Sequence, residues 1–212
     1  MEVMKKLPTL IAVCLMTLSA CAQQKVIQLP KPAKTTASMT LMDALSQRHS
    51  ERSFSDRPLT KEQLSLLLWA ANGVNRGDGR LTAPTAMNRQ DIQLFVCLAD
   101  GAYLYDAAAN TLTCVCTDDL RPAVATERQA FAKDAPVSIV IVSDLRKFGN
   151  SPNRELGALD AGYVSQNIYL AATAMGLGTV ARATMDREPL TKALGLVKEQ
   201  VLLLNHPVGY VK

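Results

Sequence analysis

The sequence predicts a single α+β domain in which helices pack around a mixed or mainly antiparallel sheet. Three features carry this prediction: a capped helix over 60–72, a hairpin over 92–105 and a β-branched run over 137–143. Of the 212 residues, 48% are apolar and 20% are charged, which is enough to bury one core without disulfides or metals. We therefore expect one globular domain, placed at residues 39–212.

Two helices are predicted before the sheet. In the first, over 40–48, apolar side chains recur at helical spacing behind Thr40, a favoured N-cap residue. In the second, Thr60 and Gln63 have the spacing of a capping box, and Gly73 marks the end of the apolar pattern. Both segments are therefore predicted to be helical.

The middle of the chain has the pattern of a hairpin. Ile92–Ala99 and Ala102–Tyr105 are rich in apolar and β-branched residues. They flank Asp100 and Gly101, a dipeptide typical of two-residue turns. The sequence therefore predicts two antiparallel strands joined by a tight turn.

The remaining elements follow from local composition. They are a strand over 111–115, a helix over 119–130, a strand over 137–143, a long helix over 156–175, a short helix over 188–194 and a last strand over 201–204 and 207–211. The run 137–143 lies between Pro136 and Asp144 and is typical of a buried central strand. Gly176 is expected to end the long helix.

The first twenty residues have the composition of a secretory leader. Lys5 and Lys6 precede the apolar stretch Leu7–Leu18. This stretch is shorter than the roughly 20 residues that a membrane-spanning helix needs. We therefore predict a signal peptide over 1–20 that is removed on export.

The end of the leader predicts a lipid anchor. Residues 18–21, Leu-Ser-Ala-Cys, resemble the bacterial lipobox, in which the cysteine is acylated. A lipid on Cys21 would place the protein in the cell envelope, attached to a membrane. A plain secreted protein is the alternative, since small residues precede both kinds of cleavage site. Residues 21–38, polar and rich in Lys, Pro and Thr, are predicted to form a flexible tether.

Charge and histidine content exclude two classes of function. A formal net charge of +4 is too small for a nucleic-acid footprint, and we expect no nucleic-acid partner. The two histidines, His49 and His206, and the cysteines lack the spacing of a zinc site. We therefore expect no metal site.

Cys14 leaves with the leader and Cys21 takes the lipid, so the cysteines left to consider are Cys97, Cys114 and Cys116. Cys97 lies in an apolar run and is expected to be a small core residue. A bridge between Cys114 and Cys116 would be strained, because residues i and i+2 of a strand lie near the upper limit of bridging distance. Free thiols are the simplest expectation, and a pairing with Cys97 across neighbouring strands stays open.

The richest group of polar residues is the segment 48–54, with sequence Arg-His-Ser-Glu-Arg-Ser-Phe. Arg48 and Arg52 can form charge-assisted bonds to a phosphate, and His49 and Ser50 can donate further ones. A solvated helix end, where the helix dipole favours arginine, explains the composition equally well. Composition alone therefore leaves both interpretations open.

The segment resembles the opening motif of the nitroreductase family, Arg-x-Ser-x-Arg-x-Phe, whose basic and hydroxyl groups hold the phosphate and ribityl chain of flavin mononucleotide (FMN). In this sequence the motif consists of Arg48, Ser50, Arg52 and Phe54. Three further blocks resemble the family in the same order: Pro84–Gln90, Asp160–Gly178 with its Gly-Leu-Gly ending, and Pro207–Tyr210. The resemblance covers roughly residues 40–212.

The resemblance implies a nitroreductase-like α+β homodimer with two FMN molecules in pockets shared between subunits. It implies that Arg48 and Arg52 hold the phosphate, supported by His49 and Ser50. Asn88 matches the asparagine that binds the flavin.

Two other stretches are expected near the flavin by the same resemblance. Gln90 lies where many relatives have Gln-Pro-Trp, and here Asp91 and Ile92 follow instead. Backbone groups near Ala181, Arg182 and Ala183 would approach the flavin N5 and O4. Arg182 departs from the acidic or small residues of the family, so its side chain is expected either to meet an anionic group or to lie on the surface.

The implied activity is that of an FMN-dependent oxidoreductase that reduces nitroaromatic, quinone or similar electron-poor small molecules. No catalytic side chain is predicted, because the flavin carries the chemistry. The donor would be NAD(P)H or another reductant, since free nicotinamide cofactors are expected to be scarce in the envelope. The alternatives are a flavin-dependent dehydrogenase of a peptide or small ring, which needs no NAD(P)H, and a lipid-anchored binding protein that has lost the flavin.

Overall fold

The computed structural model describes residues 25–33, 35, 37 and 39–212. Over these residues the chain forms seven strands and five α-helices. The strands are β1 (Val26–Gln28), β2 (Ile92–Leu98), β3 (Gly101–Asp106), β4 (Thr111–Cys116), β5 (Val137–Asp144), β6 (Gly178–Thr179) and β7 (Gln200–Gly209), and the helices are α1 (Leu41–Gln47), α2 (Lys61–Asn72), α3 (Arg121–Ala125), α4 (Arg154–Ala174) and α5 (Arg187–Ala193). Short 3-10 helices lie at Ala86–Asn88, Glu127–Asp134 and Leu145–Phe148. The predicted leader and Cys21 lie outside the described residues.

The strands form one sheet in the order β1-β4-β3-β2-β5-β7-β6. Every neighbouring pair is antiparallel. Apolar residues of α2 and α4 pack on one face of the sheet, and those of α3 and α5 pack on the other. The predicted α+β class, with helices around a mainly antiparallel sheet, is confirmed.

Strand β5 is the most deeply buried part of the sheet. All eight of its residues are buried. Ile139 and Ile141 contact the core beneath α2 and α4, whereas Val140 and Val142 contact the core beneath α3 and α5. Each such side chain contributes about 1.5–3 kcal/mol through burial. The predicted central strand is therefore confirmed, and it fixes the sheet between its two helical layers.

Helix α2 begins and ends where the sequence predicts. The Gln63 N–H donates to Thr60 Oγ1 (3.2 Å), and the Thr60 N–H donates to Gln63 Oε1 (3.0 Å), which completes the capping box. The chain leaves the helix at Gly73, whose N–H donates to the Trp69 carbonyl oxygen. Both ends are therefore fixed by local sequence.

Helix α4 ends in a tight glycine turn. Gly176 has φ +68°, and its N–H donates to the Thr173 carbonyl (3.0 Å). The Leu177 N–H donates to the Ala172 carbonyl (2.8 Å). These two bonds form a Schellman motif, which satisfies carbonyls that would otherwise have no partner at the helix end. The chain consequently enters β6 directly after the helix.

The hairpin turn is displaced by one residue from the prediction. Leu98 is opposite Gly101, so the two turn residues are Ala99 and Asp100. Gly101 begins β3 with φ +142°, and a Cβ there would lie 2.5 Å from the Cys116 carbonyl oxygen. The glycine is therefore needed for a close approach of β4 and not for the turn itself.

Two other boundaries differ from the prediction. The last strand is continuous over β7, because the polar residues that interrupt its apolar pattern are buried and paired within the sheet. The helix predicted over 119–130 is split into α3 and a 3-10 helix. The break lies at Thr126, which has φ +63°.

The predicted tether over 21–38 is wrong for residues 26–29. Val26–Gln28 pairs with β4 at the edge of the sheet, and Leu29 is buried. The Leu29 N–H donates to the Asn110 carbonyl (3.2 Å), and Lys25 Nζ lies 2.6 Å from Asp100 Oδ2. Residues 26–29 are Val-Ile-Gln-Leu, a short apolar run within a mostly polar segment, and the run becomes ordered because an existing sheet edge supplies its hydrogen bonds.

The cysteine positions exclude a bridge between Cys97 and Cys116. Cys97 pairs with Ala102 of β3, and Ala102 pairs with Cys116 of β4. The two cysteines are thus two strands apart, about 9–10 Å, which exceeds bridging distance. Cys97 is fully buried, and burial raises the pKa of its thiol to about 12, as expected for a core residue.

In the part of the chain that the structure describes, no helix combines the length and the apolar character needed to span a bilayer.

Candidate functional site

The segment 48–52 lies directly against β6. The Arg48 N–H caps α1 by donating to the Ala44 carbonyl (2.9 Å), and the Glu51 N–H donates to the Thr179 carbonyl (2.9 Å). A Cβ on Gly178 would lie 2.6 Å from Glu51 Cγ. Only glycine allows this close packing between the turn after α4 and residues 48–52, which we call the basic segment.

The segment presents positive charge without a neutralising acid. Arg48 is half-buried and Arg52 is exposed, and neither forms an ion pair with a carboxylate of the described residues. The adjacent acid, Glu51, is turned toward the backbone, where Oε1 accepts the N–H groups of Arg52 (2.6 Å) and Ser53 (2.8 Å). Although partial burial opposes this, these bonds lower the pKa of Glu51. The Glu51 carboxylate is thus bonded to backbone N–H groups, and the guanidiniums of Arg48 and Arg52 remain available for another anion.

His49 and Ser50 complete the segment. The His49 Nδ1 lies 2.9 Å from the Gln47 carbonyl, and its Nε2 lies 3.6 Å from Glu51 Oε2. Both His49 and Ser50 are exposed. The four predicted phosphate-binding residues therefore share one partly exposed segment, in which Ser50 and Arg48 contact Tyr169 and His49 lines a cavity with Glu51.

Tyr169 of α4 is a member of this site that the sequence does not single out. Its hydroxyl lies 2.9 Å from Ser50 Oγ and accepts the Ala181 N–H (2.8 Å). The Arg48 guanidinium carbon lies 5.1 Å from the centre of its ring, a cation–π distance. In the sequence, Tyr169 is indistinguishable from the other apolar residues of a long helix.

The backbone of 181–183 lies next to the basic segment. The Ala181 N–H is used by Tyr169, as described above. The Arg182 N–H and carbonyl both pair with Asn205 of β7, at 2.9 and 2.7 Å. Ala183 is exposed. Tyr169 therefore links two of the predicted site segments, 48–52 and 181–183.

The Arg182 side chain lies neither on the surface nor against an anionic group of the described residues. It is 5% exposed, and it donates to the Val124 carbonyl (3.2 Å), the Ala125 carbonyl (2.6 Å) and Gln129 Oε1 (2.6 Å). Burial lowers the pKa of Arg182. Cations are favoured at helix C-termini, and this guanidinium satisfies the last carbonyls of α3. The expected surface position is thus wrong, and within the described residues the side chain holds α3 through neutral acceptors.

The loop around Asn88 has an unusual backbone. Met87, Asn88 and Gln90 have φ values of +53°, +52° and +49°, a region that non-glycine residues adopt rarely and that clusters at functional sites. The Gln90 N–H donates to Thr85 Oγ1 (2.9 Å), and its amide nitrogen donates to the Gly79 carbonyl (3.2 Å). The surrounding structure therefore imposes a defined shape on this loop.

A buried pair of carboxyl groups lies beneath the Asn88 loop. Both oxygens of Asp160, in α4, lie 3.0 Å from the Ala86 N–H, and Ser143 donates to Asp91 Oδ2 (2.5 Å). Both aspartates are almost fully buried. Burial raises the pKa of Asp91 to about 6, the neighbouring Asp160 adds to the rise, and the Ser143 bond opposes it. The pair thus connects the loop to α4 and β5.

The chain alone does not place all predicted site residues in one cavity. A cavity of about 430 Å³ is lined by His49, Glu51 and residues 176–179. Gln90 lines a different cavity of about 760 Å³ with residues of β2 and β3. A third, largely apolar cavity of about 400 Å³ lies beside β1 and contains none of the predicted residues. His49 of the basic segment and Gln90 beside Asn88 therefore line different cavities of one chain.

Both α1 and α4 carry large apolar side chains that are exposed to solvent. Leu41 and Met42 of α1 are 63% and 71% exposed, and Leu159 and Tyr163 of α4 are 59% and 50% exposed. Single exposed apolar residues are ordinary, but a group of large ones on two contacting helices is typical of an interaction surface. We call these four residues the α1–α4 face.

The comparison with known proteins agrees with this architecture. Residues 45–210 match the model of the nitroreductase family. A Methanocaldococcus jannaschii protein provisionally named a nitroreductase is 32% identical over 181 residues, which cover 80% of this chain and 90% of the relative.

Two solved structures illustrate the fold. A provisionally named nitroreductase from Ralstonia eutropha has a TM-score of 0.79 at 34% identity, and the match covers 88% of this chain and 90% of the Ralstonia chain. A structure from Desulfovibrio desulfuricans, described as a complex with FMN, has a TM-score of 0.61 at 23% identity, with coverages of 82% and 87%.

The fold and the site define an α+β protein whose long helix and basic segment form a surface with positive charge that no described carboxylate neutralises. The family match covers most of the chain and a relative exceeds 30% identity. This chain belongs to the nitroreductase family.

Proposed function

We propose that the protein is an FMN-dependent oxidoreductase that reduces nitroaromatic, quinone or similar electron-poor small molecules. The observation that carries the proposal is the segment 48–52, where two guanidiniums and a hydroxyl lack a carboxylate partner among the described residues. A phosphate would supply the complementary negative charge. FMN, the ligand of the related Desulfovibrio structure, carries such a phosphate.

The residues present fit this cofactor. Arg48 and Arg52 would hold the phosphate, and His49 and Ser50 would donate further hydrogen bonds. Asn88 and Gln90 carry amides, which can both donate to and accept from the edge of the isoalloxazine ring. The backbone of Ala181, Arg182 and Ala183 follows β6 and lies beside the same segment. No side chain is assigned as a catalytic acid or base.

The flavin would supply two-electron chemistry between a reduced donor and an acceptor, and the chain would supply binding, orientation and access. The proposed donor is NAD(P)H or another reductant of the envelope. Because the basic segment would be engaged by the phosphate of FMN, a nicotinamide donor would have to be recognised by other residues.

We also propose a homodimer. The α1–α4 face consists of exposed apolar side chains, and it is connected to the basic segment through α1, whose C-cap residue is Arg48. Burial of this face in a second copy would remove apolar surface from water. It would also bring a second set of site surfaces next to the first, which agrees with the different cavities that His49 and Gln90 line within one chain.

The proposed location is the cell envelope, with a lipid on Cys21. The proposal is supported by the leader and the lipobox-like sequence at 18–21. Cys21→Ser should move the protein from the membrane fraction to the soluble fraction of the cell envelope. Cys97→Ser, at a buried position of β2, is the control for loss of a thiol. A Cys21→Ser protein that stays with the membranes would contradict the lipid anchor.

The activity is tested by anaerobic mixing of the purified FMN-bound protein with NADH, NADPH or dithionite, followed by a nitrobenzoate or a simple quinone. The flavin absorbance near its visible maximum should disappear with the reductant and return with the acceptor. If dithionite bleaches the flavin but NADH and NADPH do not, the physiological donor is a reductant other than NAD(P)H. A reduced flavin that neither acceptor reoxidises would contradict the proposed function.

A further inference from the structure

Tyr169 lies between the elements that form the candidate site. It belongs to α4, it is 9% exposed, and it contacts both the basic segment and Ala181, which lies just after β6. Its contacts with the candidate site are to Ser50 Oγ at 2.9 Å, to the Ala181 N–H at 2.8 Å and to the Arg48 guanidinium, which lies over its ring at 5.1 Å. One side chain thus contacts two proposed phosphate ligands and one backbone donor.

The donors and acceptors determine how the hydroxyls are oriented. An N–H group can only donate, so Tyr169 Oη accepts from Ala181. The phenol proton is then available for Ser50 Oγ, which is within hydrogen-bond distance. If Ser50 accepts this proton, its own hydroxyl proton is free to donate to a ligand oxygen.

His206 holds the Tyr169 ring in place. The two rings meet edge to face with centres 5.2 Å apart, a favourable arrangement for aromatic groups. His206 is fully buried, with Nε2 2.7 Å from Ser165 Oγ and Nδ1 3.0 Å from Thr179 Oγ1. The Thr179 hydroxyl donates to the Pro207 carbonyl (2.8 Å), so it accepts from His206 Nδ1. Burial lowers the pKa of His206 to about 3, and the ring is therefore a neutral, fixed support.

We propose that Tyr169 is a positioning residue for phosphate recognition. Its hydroxyl donates to Ser50 Oγ and so orients the Ser50 hydroxyl, and its ring face orients the Arg48 guanidinium. The inference rests on the proposed function, because it takes the phosphate of FMN as the ligand of the basic segment. Tyr169 acts through Arg48 and Ser50 and needs no contact of its own with the flavin. Orienting these groups before binding lowers the cost of ordering them when the ligand arrives.

The test compares FMN with riboflavin, which lacks the phosphate. Full-length protein with and without Tyr169→Phe is stripped of flavin and titrated with each ligand, and the ratio of the two dissociation constants is measured. Tyr169→Phe should weaken FMN binding about three- to tenfold and riboflavin binding much less, so the preference for FMN should fall. A purely structural role would weaken both ligands equally or leave both unchanged.

Tyr105→Phe is the matched control. Tyr105 is 8% exposed, and its hydroxyl donates to Asn110 Oδ1 (3.2 Å) at the β3–β4 turn. This variant loses a similarly buried hydroxyl and should keep the full preference for FMN.

The outcomes separate the two proposals. A wild-type protein that binds neither ligand would overturn the proposed function and the role of Tyr169 with it. A wild-type protein that prefers FMN, with an unchanged preference in Tyr169→Phe, would overturn the role of Tyr169 alone. If Tyr169→Phe does not fold, Ser50→Ala at an exposed position is the fallback: an unchanged FMN preference overturns the proposal, because Tyr169 would then have no ligand hydroxyl to orient.

Discussion

The charged side chains near the site differ in whether the fold supplies them with hydrogen-bond partners. Arg182 is buried and satisfied by the carbonyls of α3, and Glu51 is satisfied by backbone N–H groups. Arg48 and Arg52 are the basic residues of the segment whose charge no described carboxylate neutralises. The electrostatic pattern therefore favours the segment 48–52 over Arg182 as the place for the proposed anion.

Arg48→Ala should weaken FMN binding by about 10- to 100-fold, because a hydrogen bond to a charged group is worth about 1.5–3 kcal/mol. Titration of flavin-free protein measures the change. Arg57→Ala is a suitable control, since Arg57 also lies over a tyrosine ring, that of Tyr210 at 4.1 Å, outside the segment. Equal FMN affinity in wild type and Arg48→Ala would remove Arg48 from the site.

Asp91 makes the stability of the protein depend on pH. Burial raises the pKa of its carboxyl from 3.8 to about 6 in the folded chain. The folded state therefore holds the proton more tightly, so the stabilising contribution of this group is complete below about pH 4 and is lost as the pH rises to about 6. Asp91→Asn cannot ionise and should lack this loss.

Urea unfolding of wild type and Asp91→Asn between pH 4 and 7 measures this effect. The stability of the variant relative to wild type should rise through that interval and then become constant. Asp118→Asn, at an exposed position, should show no such trend. A difference between wild type and Asp91→Asn that does not change with pH would refute the raised pKa.

The site residues that sequence could predict are those with a local pattern. Arg48, Ser50 and Arg52 form a motif of alternating residues, and their grouping is visible in the sequence itself. Tyr169 and the Asp91–Asp160 pair are not visible in this way, because their partners are 119 and 74 residues distant in sequence or belong to other elements. Burial, and not residue type, gives these side chains their roles.

At the scale of elements, the site depends on how β6 meets the basic segment. Gly178 lies where a Cβ would be 2.6 Å from Glu51 Cγ and 3.0 Å from Val211 Cγ2. Gly178→Ala should therefore displace the segment, lower the melting temperature and weaken FMN binding. Gly77→Ala, where a Cβ meets nothing within 4 Å, should change neither quantity. If Gly178→Ala binds FMN with wild-type affinity, the packing against β6 does not position the segment.

Elements are predictable where their ends carry local signals. The capping box of α2, the glycine turn after α4 and the apolar run of β5 are all encoded within a few residues. Strand β1 is not, because its order comes from the edge of β4, more than 80 residues later in the chain. The continuity of β7 is not predictable either, since Asn205 and His206 are polar residues whose burial depends on Arg182, Ser165 and Thr179.

At the scale of the whole molecule, the α1–α4 face predicts the assembly. Met42→Glu together with Tyr163→Glu should convert a dimer into a monomer, because two charges would be buried in an apolar interface. Sedimentation at several concentrations measures the mass. Val197→Glu, at a position 43% exposed outside this face, should remain a dimer. Dimers that persist in the double variant would place the interface elsewhere.

If this chain is a flavoprotein, as we propose, the purified protein should contain a bound flavin chromophore. Protein purified without added flavin, and again after incubation with FMN, is examined by visible absorbance, and the released chromophore is identified by chromatography. The expected result is a yellow protein with about one FMN per chain, held through the segment 48–52. A colourless protein that does not bind added FMN would contradict it and would leave a nitroreductase fold with a different ligand.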